Sequence, residues 1–361
     1  MLSSKERIGL ALEGKPVDHL PFSPFLAYAW EHLSKEIQDA GQLEFHHLIG
    51  ADPLWRGAPC PVKAVYSDKI VNRSFSEGGL DKFIIETPVG FLSYASSKSS
   101  AGNTNFLVEH PLKKAEDFKV QMWIEGHVRY EPDYDAAKKH FAGNGCEGFS
   151  VGMLIPRGKS AFQSLVEHHV GTEELAYAMA DYPELVEELW NIMVRRDIEC
   201  VDIASSFPEY EYYLTWEDSS TQNYSPSQFE RYIGSEISQW CALLAKNGKR
   251  YVQHACGHVK ELLEPMKRAG VYAVESISSP PTGNISLSES RKIAGNSFGI
   301  IGGIEPTAFL NLNMDELELY VQQIASEGRG GPFVLANSDS CPPGVTVEKF
   351  KLVGEIASRL K

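Results

Sequence analysis

RYVQHACGHVKELLEPMKRAGVYAVESI, residues 250–277, reads as a strand, a helix and a second strand. Arg250–Cys256 is a short apolar run. Val259, Leu262, Leu263, Met266 and Ala269 then recur at helical spacing, Gly270 ends the helix, and 271–277 is apolar again. The same alternation extends both ways. Upstream lie strand-like 148–154 (GFSVGML), a helix from Pro183 towards Ser206, strand-like 210–216 (YEYYLTW), and a helix capped by Ser225 with Pro226 first. Downstream follow a helix around Ser286–Ala294, strand-like 297–304, a helix opened by Asn313 with Glu316 three residues on, 332–339 (PFVLANSD), and a last helix bearing Phe350, Val353 and Ile356. Repeated strand–helix units without long interruption predict a parallel sheet.

Two further units in the first 145 residues would complete a (β/α)8 TIM barrel, an α/β fold, over residues 1–361 as one domain. His19–Ala27 (HLPFSPFLA) is a candidate first strand, behind an N-terminal helical segment. Lys69–Ser97 reads as an inserted β hairpin over one end. An open doubly wound sheet is the rival, but no G-x-G-x-x-G follows any strand.

The chain has 361 residues, 43% of them hydrophobic, enough for a large core. No apolar run approaches the roughly 20 residues of a membrane span, and the charged N-terminus lacks the order of a signal peptide; a cytoplasmic protein is expected. A net charge of −14 with no basic run argues against nucleic-acid binding. The six cysteines are scattered and include no C-x-x-C pair, so neither a disulfide framework nor a zinc ribbon is expected.

In a parallel barrel the chemistry sits at the C-terminal strand ends. Polar residues collect there: Glu217 and Asp218, His254 and Cys256, Glu275, Glu305, then Asn337, Asp339 and Cys341. Residues two apart on a strand point the same way, so His254 and Cys256 aim at one place. Imidazole and thiolate are the readiest zinc ligands, and Cys341 from a distant strand would be a third. The bland reading makes them core residues, Glu275 an ion-pair partner, Glu305 a cap and Asp339 a turn residue. Tyr210, Tyr212, Tyr213 and Trp216 either pack the barrel or line a pocket. His46-His47 and His168-His169 fit a loop and a helix surface better than a metal site.

These residues resemble the uroporphyrinogen decarboxylase superfamily, and within it the zinc- and corrinoid-linked methyltransferases. The likeness runs from KERIGLALEGKPVDHLPFSP (5–24) through WEDSSTQNYSPSQFERYI (216–233) and HACGHVKELLEPMKRAGVYAVES (254–276) to IIGGIEPTAFL (300–310) and PFVLANSDSCPPGVTVEKF (332–350). It implies zinc held by His254, Cys256 and a last-strand residue, Cys341 or Asp339, with Glu275 matching a further ligand of related methionine synthases. It also implies a methyltransferase enzyme moving a methyl group between a corrinoid and a methoxylated compound or thiol, with Asp218, Glu217 and Asp339 handling substrate or protons. No D-x-H-x-x-G signature is present, so the corrinoid would belong to a partner protein; a homodimer is compatible with this reading. The family's R-Q-A-G-R segment has no counterpart in SPFLAYAWEHLSKE (23–36), which argues against decarboxylation of a tetrapyrrole. The alternatives are a decarboxylase-like enzyme or a metal-free barrel acting as a binding subunit.

Overall fold

The computed structural model describes residues 1–99 and 104–360. The strands in chain order are β1 (Leu54–Ala58), β2 (Val62–Tyr66), β3 (Val71–Glu77), β4 (Leu80–Thr87), β5 (Gly90–Lys98), β6 (Asn105–Glu109) and β7 (Val128–Pro132). There follow β8 (Phe149–Met153), β9 (Tyr212–Trp216), β10 (Arg250–His254), β11 (Ala273–Ile277), β12 (Gly299–Ile304) and β13 (Phe333–Asn337). Seven of them form one curled sheet in the order β1-β8-β9-β10-β11-β12-β13, and every pairing is parallel. From β8 onward each strand is followed by helix, as the apolar spacing predicts. Ser225, Ser286 and Asn313 all cap their helices through capping boxes.

The regular first strand expected over His19–Ala27 does not form. Only Phe22 bridges to Leu335. Pro21–Ser23 nonetheless lies between the sheet's two edges: Leu335 N–H donates to Pro21 O (3.0 Å), and Asp52 N–H donates to Phe22 O (2.7 Å). Pro21 and Pro24 have no N–H to extend the ladder, and Ala27 already begins a short helix.

Alternation along the parallel strands divides the core in two. Leu54, Phe149, Val151, Tyr212, Leu214, Val252, Ile301 and Val334 pack inside the curled sheet. The helix Ser4–Leu12 closes its lower end with Ile8, Ala11 and Leu12, and is pinned there by buried Arg7, bonded to Asp18 (2.7 Å) and Asp52 (2.5 Å). The outer faces meet the surrounding helices in a larger apolar cluster. The expected hairpin is β4–β5, turning at Pro88 and Val89, but it is the centre of an antiparallel sheet β3-β4-β5-β6; β2 and β7 form a second small sheet. Among the described residues, no helix is long and apolar enough to cross a membrane.

Candidate active site at the strand ends

Asp218, His254 and Cys256 converge past the ends of β9 and β10, with one ligand atom of each lying within 4.8 Å of the others. His254 and Cys256 share a side because they are two apart in extended chain. Gly257, at φ 89°, then turns the chain sharply, and His258 N–H bonds Ser220 Oγ (3.1 Å). That contact ties the turn to the loop bearing Asp218.

Asp218 is placed by its neighbour. Glu217 is wholly buried and accepts from Ser160 N–H (2.7 Å), Ser160 O–H (2.8 Å) and Thr215 O–H (2.7 Å). With Glu217 anchored outward, Asp218 turns inward at φ 45°; Ser276, beside Glu275, sits at φ 81°. Positive φ in residues with a Cβ is strained by roughly 1–3 kcal/mol, so tertiary contacts hold both loops. Lys159 Nζ binds Asp218 Oδ2 and also Glu167 Oε2 (2.9 Å). This leaves Asp218 Oδ1 facing His254 Nε2 (3.4 Å) and Cys256 Sγ (3.5 Å).

Behind His254 stand Glu275 and Arg56. Glu275 Oε2 is 3.3 Å from His254 Nδ1, Ser276 Oγ is 3.2 Å from the same nitrogen, and Glu275 Oε1 accepts from Arg56 Nε. Burial alone would raise the Glu275 carboxyl, yet Arg56 and His254 outweigh it and hold it below the usual range. Burial likewise disfavours the His254 cation, but the Glu275 bond and the charges of Glu275, Asp218 and Asp339 hold its pKa above the usual value. An ionised Glu275 only accepts, so Nδ1 carries the hydrogen. Burial, then Asp218 and Asp339, pushes the Cys256 thiol far up; a cation bound at the cluster would reverse that order. Trp216 packs on His254 (5.0 Å between centroids) and Phe25 stacks on Trp216 (5.5 Å).

A cavity of about 450 Å³ opens over the cluster, lined by Glu167, Asp218, Cys256, Ser276 and Asp339 among others. Burial and neighbouring carboxylates raise the Asp339 carboxyl despite His254. The structure thus brings together Asp218, His254 and Cys256, with Glu275 behind them and Asp339 on the wall. It does not bring Cys341. That side chain is wholly buried in the outer apolar cluster, and its N–H donates to Phe25 O (2.9 Å). Glu217 faces away, and Glu305 caps a helix through Ala308 N–H. Tyr210 and Tyr213 are core residues whose hydroxyls bond Pro59 O and Ala204 O, so of the four aromatics only Trp216 reaches the site. Lys159, Arg56, Phe25 and Ser276 escaped sequence reasoning. A lone arginine within the strand pattern LWRGA (54–58) was a usable signal for Arg56; Lys159 gave none.

Residues 161–360 match the model of the uroporphyrinogen decarboxylase (URO-D) family. The chain belongs to the URO-D family. A methyltransferase from Methanosarcina mazei shares its fold over 99% of each chain, at TM-score 0.65 and 14% identity. A B12-independent methionine synthase from Shewanella sp. is 9% identical, covering 96% of this chain and 97% of its own, at TM-score 0.43. No curated protein matches. Within the URO-D fold, then, the cluster described above occupies the strand ends where a parallel barrel carries its chemistry.

Proposed function

We propose that this chain is a zinc-dependent methyltransferase that moves a methyl group between a corrinoid on a partner protein and a small substrate, a methoxylated compound or a thiol. The Asp218–His254–Cys256 cluster carries the reading. One imidazole nitrogen, one sulfur and one carboxylate oxygen within 4.8 Å suit zinc. Three protein ligands leave a fourth position for substrate, as catalytic zinc sites do. The bound ion would supply a Lewis acid, able to acidify a thiol acceptor or polarise the oxygen of a methyl ether.

The rest is the work of the protein's own side chains. Glu275 fixes the His254 tautomer so that Nε2 offers its lone pair to the cluster, and Arg56 keeps Glu275 ionised. Lys159 occupies one oxygen of Asp218 and aims the other. Of the two last-strand candidates, Asp339 lines the cavity and Cys341 does not. We therefore assign Asp339 to proton transfer at the substrate, and Glu217 to holding the Asp218 turn. Phe25 and Trp216 exclude water from one side of His254. Pro21–Ser23 is read as the eighth stave of the barrel. A cytoplasmic location belongs to the same proposal.

Glu167, Asp218 and Asp339 line the cavity, while Arg56 and Lys159 are already paired with carboxylates. Such a wall repels a polycarboxylated macrocycle. Purified protein should hold about one zinc per chain, with the metal lost from Cys256→Ala and His254→Ala while circular dichroism stays native. The cobalt spectrum of a corrinoid protein should then change on adding enzyme with thiols or methoxylated aromatics. No bound metal in the wild type, or uroporphyrinogen turnover without any cobalt change, rejects the proposal.

A further inference from the structure

A second cavity, also about 450 Å³, lies between the inserted strands and the segment after β8, and it shares no lining residue with the cavity over the cluster. Small-molecule sites run from roughly 300 to 1,000 Å³. Tyr66, Ile85, Tyr94 and Tyr130 supply largely aromatic walls. Among the described residues, three that line the opposite side each carry a buried polar atom without a hydrogen-bond partner: Arg157 Nη1, Ser164 Oγ and His169 Nδ1. Ser164 is only 1% exposed. Each such orphan costs roughly 1–3 kcal/mol, a cost that a ligand oxygen in the cavity would relieve once the side chain turns toward it.

The charges narrow the ligand class. Arg157 is balanced by Glu125 (3.2 Å) and Asp197 (3.1 Å), and burial pushes the His169 ring down to about 3, leaving it neutral. The polar side therefore offers hydrogen-bonding dipoles and no spare positive charge. Backbone geometry adds a further sign of function. Val170 N–H bonds Leu165 O (2.9 Å), five residues back, which makes Leu165–His169 a π-type turn, a feature frequent at functional sites. Glu167 on that turn faces the cluster cavity, and His168 and His169 face the second one.

We propose that this second cavity binds a small uncharged aromatic molecule bearing a hydroxyl or ether oxygen. Binding there requires neither the metal nor methyl transfer. Saturation-transfer NMR on the full chain would use phenol and anisole as probes, with benzoate and cyclohexanol as controls. Phenol and anisole should bind and the controls should not. Ile85→Trp, which narrows the cavity, should weaken both probes at least about tenfold. Ser164→Ala should weaken phenol about fivefold, the equivalent of one hydrogen bond, without loss of folding, because the hydroxyl it removes has no partner among the described residues. Both variants should keep the metal content of the wild type. Failure of the wild type to bind either aromatic overturns the proposal. So does equal binding of the controls, or probe binding that survives Ile85→Trp and Ser164→Ala but is lost in Cys256→Ala.

Discussion

Replacing Arg56 by Met should disable the cluster from behind without touching a ligand. The Arg56 and Glu275 side chains are 4% and 2% exposed, and Arg56 also donates to Ser23 O (2.9 Å) beside the Phe25 ring. Met fills much of the same space but leaves Glu275 a buried carboxylate with only His254 to answer it. Breaking a buried pair in this way costs about 3–5 kcal/mol, whereas replacing both partners by neutral groups costs much less. Urea unfolding of the chelator-treated protein, followed by tryptophan fluorescence, should give Arg56→Met and Glu275→Gln losses of about 3–5 kcal/mol each. The double variant should lie within about 2 kcal/mol of wild type. In Glu275→Gln, zinc affinity should also fall about 10–100-fold, because the group that orients His254 has lost its charge. Single losses under about 1 kcal/mol, or strictly additive ones, would refute the claim that this pair organises the site.

Three further outcomes follow from the same geometry. Cys341→Ser should leave zinc content and the sulfur count in zinc absorption spectra unchanged, while costing about 1–3 kcal/mol of stability for a hydroxyl placed in an apolar cluster; a lost sulfur would restore Cys341 as a ligand. Gly57→Ala should destabilise by about 1–3 kcal/mol and alter the Trp216 emission, since φ there is 65° and a Cβ would come 2.9 Å from the indole; unchanged emission would argue against that contact. In the metal-free protein, the lowered Glu275 carboxyl contributes stability that is present above the ordinary value of 4.5 and lost as pH falls through the folded value. The raised His254 contributes stability that is complete below 6.5 and lost as pH rises through its folded value. The difference in unfolding free energy between wild type and Glu275→Gln should therefore narrow at both ends of a pH titration, and a pH-independent difference would contradict the assignment.

Local pattern determined much of this protein. Apolar spacing, Ser225, Ser286 and Asn313 as caps, and glycines at helix ends act within a turn or two of chain, so the alternation of strands and longer helices from β8 to the last helix could be read locally, while the short helices Ala161–Ser164, Thr172–Asp181 and Pro306–Asn311 could not. The pair His254 and Cys256 was legible for the same reason, because period-two geometry decides which side chains share a face. The place of the first strand was legible but its form was not: prolines reduced it to one bridge, and only the neighbouring edges of β1 and β13 give Phe22 its place. The third member of the cluster was decided by tertiary structure alone. Cys341 carries the softer donor, but the direction of its side chain depends on the loop after β13, and that loop turns it into the outer core. Asp218 is aimed inward because Glu217 is anchored to Ser160 and Lys159 draws one of its oxygens, contacts between residues more than fifty positions apart that no local pattern encodes. Arg56 and Glu275, 219 residues apart, meet only because curling the sheet brings β1 and β11 to face each other across its interior, where a buried charge must find its partner.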